Sequence, residues 1–243
     1  GSAPPSRDAR FTTTRWSLVA RVQGGSDPSA QAALEQLCRT YWYPLYVFVR
    51  RLGQNPHDAE DSVQGFFAAF LAGNYLKSAD PARGRFRSFL LMALKRFLAN
   101  EWDKARARKR GGTRRPIEWD GLTAEQRYAL EPGERFTPDQ LYERRWALTL
   151  LATVLARLRQ EQVQAGRGEQ FARLTEFLTS PGRGTPYAEV AASLKLSEGA
   201  LKVALHRMRK RYRELLEAEI ADTVSAPEEI AEERRYLLAV LSR

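Results

Sequence analysis

Apolar side chains recur along this chain mostly at intervals of three and four. In ALEQLCRTYWYPLYVFVRRL, residues 33–52, the series Leu34, Leu37, Cys38, Tyr41, Leu45, Phe48, Val49 and Leu52 follows that spacing, which lines one face of an α-helix. Pro44 falls inside the series and predicts a kink or a break, because it removes a backbone donor. In NPHDAEDSVQGFFAAFL, residues 55–71, Asn55 precedes Pro56, and Ala59, Val63, Phe66 and Phe70 share one face. Asparagine as N-cap with proline in the first helical position is a strong start signal. A third helix is expected from about Phe89 to about Arg110, after the Gly/Pro-rich ADPARGRFR and ending at Gly111-Gly112. No segment alternates with period two between turn signals, so the expected fold class is all-α with essentially no sheet.

The texture changes after Gly112. Residues 111–137 hold Pro116, Pro132 and four glycines with weak periodicity, and Glu118–Glu134 carries five acids and one arginine. That reads as an extended acidic linker longer than an ordinary loop. Helical spacing resumes at Asp139 in LYERRWALTLLATVLARL, pauses at AGRG, continues through EQFARLTEFL and breaks at SPGRG. The expected organisation is an N-terminal extension with a short helix (1–27), a first helical domain (28–110), the linker (111–138), a second helical domain (139–222) and a C-terminal helical extension (223–243).

Charge then narrows the partners. The formal net charge is +10, and Arg83–Arg115 holds twelve Lys or Arg against Glu101 and Asp103, while the remainder balances at 27 basic to 27 acidic residues. The excess is therefore one patch, and such a patch calls for an acidic partner, nucleic acid or an anionic surface. Cys38 is the one cysteine and His57 and His206 the two histidines. No disulfide or zinc-ligand spacing follows from them, so a reduced, cytoplasmic chain with no metal and no cofactor is expected. No apolar run approaches the roughly 20 residues of a membrane span, and no export signal is seen, so no membrane partner is expected.

Two constellations carry candidate chemistry. In TPYAEVAASLKLSEGALKVALHRMRKRY, residues 185–212, Thr185 and Pro186 open a helix whose apolar stripe is Tyr187, Val190, Ala191 and Leu194. A break at Lys195-Leu196 follows, and Ser197 caps a second helix with an inward stripe of Leu201, Leu205, Met208, Tyr212 and Leu215. Two short helices joined by such a turn form a helix-turn-helix, whose second helix enters the DNA major groove. Ser197, Glu198, Gly199, Lys202, Val203, His206 and Arg207 then face outward, the first turns placed to meet base edges and the later cations, with Lys210, to meet phosphates. The alternative is a surface helix that merely has a basic face.

The other constellation is Asp58-Ala59-Glu60-Asp61. At about 100° per residue Asp58 and Asp61 project opposite the Ala59/Val63/Phe66/Phe70 stripe, with Glu60 and Gln64 on the flanks. Three readings stay open on these residues alone: a magnesium-binding carboxylate pair for nuclease chemistry, a docking face for a basic partner, or acids favoured by the helix dipole.

Taken together, YPLYVFVRRLGQNPHDAEDSVQGFF, GRFRSFLLMALKRFLANEWDKARARKR and the later helix-turn-helix resemble a bacterial sigma factor of the extracytoplasmic-function class, over about residues 30–110 and 140–220. The resemblance implies two helical domains, sigma region 2-like and sigma region 4-like. It implies a non-enzymatic protein that binds core RNA polymerase, recognises the −35 and −10 promoter elements, assists −10 melting and directs transcription initiation. Asp58, Glu60, Asp61 and Gln64 would dock on the polymerase beta-prime clamp helices, with the beta flap as a further contact. Arg85, Arg87, Ser88, Lys95, Arg96, Asn100 and Lys104 would bind the −10 element, with Phe86 or Phe89 walling a pocket for an extruded base, and Ser197 through Lys210 the −35 element. Phe89, Phe97 and Trp102 read more simply as core. In the family the linker threads toward the polymerase active site; a solvated tether is the plain alternative. An anti-sigma factor or a kinase is a candidate regulator, and Ser62 sits beside the docking acids.

Two segments depart from the family pattern: FTTTRWSLVARV near the N-terminus, and SAPEEIAEERRYLLAVLSR at the C-terminus. The latter has a Ser225/Glu228 capping box and an apolar stripe of Ile230, Leu237, Leu238 and Leu241. It is expected to pack on the second domain; the alternative is that it covers the basic recognition helix. A stand-alone helix-turn-helix regulator accounts for residues 185–215 but gives the acidic helix and the basic patch no joint purpose.

Overall fold

The computed structural model describes residues 28–72, 75, 85–107, 121–131, 135–179, 186–224 and 226–242, with side chains described from Thr40 onward except those of residues 71, 104–107 and 121–123. The expected N-terminal helix at 11–22, the loop 80–84, the basic RARKR tail beyond Ala107, and the capping residues Thr185 and Ser225 lie outside the described residues. Every described element is helical, and no strand occurs among them. In chain order they are α1 (Pro28–Arg51), α2 (Pro56–Leu71), α3 (Phe86–Ala107), α4 (Gly121–Ala129), α5 (Pro138–Gln164), α6 (Gly168–Thr179), α7 (Tyr187–Ser193), α8 (Glu198–Ala221), a 3-10 turn (Pro227–Glu229) and α9 (Ile230–Leu241).

The starts follow the local chemistry. Asn55 Oδ1 accepts from the Asp58 amide at 2.9 Å, with Pro56 next in line, so α2 begins where a cap and a pre-set φ coincide. Thr137 and Gln140 bond reciprocally, Gln140 N to Thr137 Oγ1 at 3.2 Å and Thr137 N to Gln140 Oε1 at 3.0 Å, a capping box that starts α5. Pro44 does not break α1 into two elements. All ten residues Thr40–Val49 are buried, and a helix enclosed on every side is held by packing that outweighs one missing backbone bond. Helix α3 begins at Phe86, three residues before the expected Phe89, because Phe86 is itself buried.

The chain divides into two compact units, one made of residues 1–149 with 220–243, the other of 150–219. The first has α1 at its centre: Tyr41, Leu45, Tyr46 and Phe48 are fully enclosed together with Phe66 and Phe70 of α2, Phe86 and Leu90 of α3, and Tyr142 and Trp146 of α5. Phe66 is a hub of ring contacts, 5.8 Å from Phe70 and 5.9 Å from Phe97 between centroids. Burying side chains of this size is worth about 1.5–3 kcal/mol each. In the second unit Val154 and Leu158 of α5, Leu174 of α6 and Leu201 and Leu205 of α8 form the core.

Part of the expected linker is structured. Residues 121–129 form α4, which belongs to the first unit and is tied to α1 by charge: Arg50 meets Glu125 at 2.6 Å, and Tyr46 Oη donates to Glu125 Oε2 at 2.6 Å. Glu131 pairs with Arg145 and accepts from Tyr43 Oη at 2.9 Å, and Arg127 lies 3.7 Å from the centre of the Tyr43 ring. A nine-residue helix is too short to stand alone in water; these side-chain contacts give it a partner.

The C-terminal segment also differs from expectation. Residues 220–242 group with the first unit, and the buried positions of α9 are Glu233, Leu237 and Val240, while Leu238 is 58% exposed. An acid has taken a core position because α3 supplies its counter-charge. The Phe86 amide donates to the Thr223 carbonyl at 3.3 Å, and Arg144 Nη1 to the Leu241 carbonyl at 3.3 Å.

Candidate nucleic-acid and partner-binding surfaces

In the second unit, α7 and α8 are joined by the four residues 194–197. Lys195 makes the turn with φ 54°, in the left-handed region that costs a residue with a Cβ roughly 1–2 kcal/mol. Ser197 Oγ accepts from the Ala200 amide at 3.2 Å and caps α8 as expected. Val190, Ala191, Leu201, Leu205, Met208 and Leu215 are buried, with Tyr187, Leu194 and Tyr212 half-buried. All eight residues expected to face DNA, Ser197, Glu198, Gly199, Lys202, Val203, His206, Arg207 and Lys210, are exposed and share the outward side of α8. That side is braced from behind: Arg211 pairs with Glu161 at 2.7 Å and Glu214 at 3.1 Å, and Arg209 Nη2 donates to the Phe177 carbonyl at 3.1 Å. The hydrogen bond from Arg211 holds the Glu161 carboxyl below the usual carboxylate range, against the effect of burial. Arg209 and Arg211 therefore serve the unit's own structure, while Lys202, Arg207, Lys210 and Arg213 are the exposed cations of the outward face among the described residues.

In the first unit, Asp58 and Asp61 of α2 are exposed and Glu60 and Gln64 half-buried. Asp58 is fixed by Asn55 Nδ2 at 2.7 Å, and Asp61 lies 3.7 Å from His57 Nδ1. Partial burial, then the charges of Asp61 and Glu125, push the Glu60 carboxyl up, opposed by His57. The face is thus a fixed patch of negative potential over an apolar helix. No group of three or more His, Cys, Asp or Glu side chains that could hold a metal gathers among the described residues. Ser62 Oγ donates to Gln54 Oε1 at 2.9 Å.

The basic residues of α3 separate into two sets. Ser88, Arg96 and Asn100 are exposed, and Lys95 is partly so, held by Asp139 at 2.5 Å; the side chain of Lys104 lies outside the described residues. Arg87 is instead 3% exposed and cannot reach a phosphate in this arrangement. Its Nε donates to Glu233 Oε1 at 2.8 Å and its Nη2 to Oε2 at 3.2 Å, and it lies 4.2 Å from the Tyr236 ring centre and 5.0 Å from that of Trp146. The Tyr142 hydroxyl donates to the Arg87 carbonyl at 2.9 Å. Burial works against the Arg87 charge, and Glu233 more than compensates, so its pKa lies above the ordinary arginine value. Arg85 pairs with Glu233 at 2.5 Å and Glu232 at 3.1 Å. Phe86 is enclosed beside Tyr41 at 5.5 Å and walls no open pocket, whereas Trp102, expected in the core, is 48% exposed.

Glu232 and Glu233 were not singled out by their sequence. The signal is there in retrospect: Glu233 stands four and seven positions before Leu237 and Val240, an acid on the apolar stripe, and such a group needs a buried cation. No described helix is long and apolar enough to cross a membrane. Compared with protein-family models, with curated proteins and with solved structures, the chain matches none.

Proposed function

We propose that this protein is an alternative sigma factor of the extracytoplasmic-function class, which binds core RNA polymerase and directs it to promoters through −35 and −10 contacts. The observation that carries this reading is the outward face of α8. Eight residues chosen for their chemistry are all exposed, on a capped helix that follows a four-residue turn, while the apolar stripe behind them is buried or half-buried. That is the arrangement a major-groove reader requires. The exposed carboxylates of α2 add a docking face for a basic partner, and the arginine-rich stretch around α3 adds a second polyanion contact. A stand-alone regulator of duplex DNA uses α8 alone and leaves α2 without a role.

The test is co-elution of the full chain with purified bacterial core polymerase, beside the Asp58→Arg/Asp61→Arg variant. Binding by the wild type and its loss in the variant are expected. If neither binds polymerase while both retard duplex DNA, the sigma reading fails and the ordinary regulator stands.

A further inference from the structure

The second unit holds a cleft that neither the outward face of α8 nor its buried stripe accounts for. On α8, Ala200, Val203, Ala204, Arg207, Met208 and Arg211 follow at intervals of three and one, which makes a single stripe along the helix. That stripe lines a cavity of about 640 Å³ together with Glu161, Gln162, Arg167 and Gln170 from the end of α5 and the start of α6. The volume falls within the roughly 300–1,000 Å³ of small-molecule sites. The α5 side is built by a helix cap: Gly166 turns the chain with φ 70°, and the Arg167 amide donates to the Gln162 carbonyl at 2.8 Å. Arg167 Nε donates to Gln162 Oε1 at 2.9 Å as well. Backbone and side chain of Arg167 are thus both tied to Gln162, which holds its guanidinium at the cleft.

The lining has two characters. Ala200, Val203, Ala204 and Met208 make the α8 wall apolar, and Met208 is buried while Val203 is exposed, so that wall runs from the core to the surface. Arg211 spends its charge on Glu161 and Glu214, at 2.7 and 3.1 Å, and in turn neutralises the acid of the lining. Arg167 and Arg207 are exposed and meet no carboxylate among the described residues. Each presents a planar fork of N–H donors that takes a carboxylate, phosphate or sulfonate in paired bonds. No aromatic ring lines the cleft among the described residues, so nothing in it stacks a nucleobase. Two cations beside an aliphatic wall match an acid head on an apolar body.

We propose that this cleft is a binding site for a small amphiphilic acid, its head held by Arg167 and Arg207 and its body lying along Ala200, Val203, Ala204 and Met208. Arg207 is also one of the residues assigned to DNA, so the bound acid takes a cation from the phosphates and weakens duplex binding. By linkage, duplex weakens the acid by the same factor. The site goes beyond the sigma reading, and only its effect on DNA rests on α8 as the groove reader.

The test is fluorescence titration of the full chain with anilinonaphthalene sulfonate, a sulfonate head on an apolar ring system, followed by displacement with dodecanoate, naphthoate and the neutral dodecanol. Saturable binding is expected, displaced by the acids and not by the alcohol, and the better of the two acids tells a chain-like body from a ring. Arg167→Gln is expected to weaken probe binding about five- to fiftyfold, and Ala204→Trp, which fills the cleft, to abolish it, both with unaltered circular dichroism. Saturating probe is expected to weaken wild-type binding to a labelled duplex, and Arg167→Gln to move that effect to higher probe concentration. Equal probe affinity in wild type and both variants, displacement by dodecanol as readily as by the acids, or no saturable binding overturns the site. Unchanged duplex affinity at saturating probe overturns its link to DNA. Loss of polymerase co-elution in Ala204→Trp, with the acids failing to displace the probe, makes the cleft a protein contact and overturns the proposal too. Failure of wild type to co-elute, with the Arg167 effect intact, sinks the sigma reading and leaves the cleft standing.

Discussion

Arg87 and Glu233 show how much one pair of side chains decides. Both are buried, and they are 146 residues apart in sequence. Removing one partner from such a pair leaves a charge away from water and without its main counter-ion, a cost of about 3–5 kcal/mol, whereas replacing both with apolar groups of like size costs far less. Glu233→Ala is therefore expected to lower the urea-denaturation free energy by about that amount, and Arg87→Met/Glu233→Leu by much less; equal losses would mean that the pair is not coupled. Glu125 makes a gentler case. The hydrogen bond from Arg50, then that from Tyr46, holds its carboxyl below the usual range, against burial. A lowered folded-state pKa gives stability that is present above the ordinary carboxylate value, about 4.3, and lost as pH falls through the folded value. With the carboxylate 34% exposed and screened, the contribution is of order 1 kcal/mol. The stability gap between wild type and Glu125→Gln should be present at pH 7 and close as pH falls toward 3. A gap independent of pH would show that the charge contributes nothing. Neither pairing was legible in the sequence, because a basic run looks the same whether its cations face phosphate or a carboxylate far along the chain. Asn55 and Ser197 were legible as caps, since each acts within three residues of itself.

Element by element, legibility followed length and periodicity. Helices α1, α2, α5 and α8 run for 24, 16, 27 and 24 residues and announce themselves through repeated apolar spacing. Helix α4, nine residues set among glycines and acids, did not, since it depends on Arg50 and Tyr46 of another element. The turn between α7 and α8 was placed correctly at Lys195-Leu196, though its backbone strain could not be read from the residue type. At φ 54° a glycine suits Lys195 better than lysine does. Lys195→Gly is expected to raise the melting free energy by about 0.5–1 kcal/mol and Lys195→Val to lower it. Thermal unfolding followed by circular dichroism checks both signs, and a destabilised glycine variant would mean that the lysine side chain makes a contact worth more than the strain.

For the whole molecule, the division into 1–149 with 220–243 against 150–219 cuts across the boundary that composition suggested at 111–138. Composition sees where the chain is acidic and rich in glycine; it does not see that residues 220–242 return to the first unit. A chain lacking 220–243 is expected to lose the first unit selectively, because Arg87, Thr223 and Glu233 no longer meet. Limited proteolysis should then digest 28–149 while a fragment covering 150–219 persists; equal protection of both would show that the returning segment adds nothing. The same return fixes an order of events during synthesis. Glu233 leaves the ribosome 146 residues after Arg87, a delay on the order of ten seconds at ordinary elongation rates. Through that interval the second unit is made in full, while the first holds a guanidinium bound for its interior and still facing water. The part of the chain that begins first is the part that closes last.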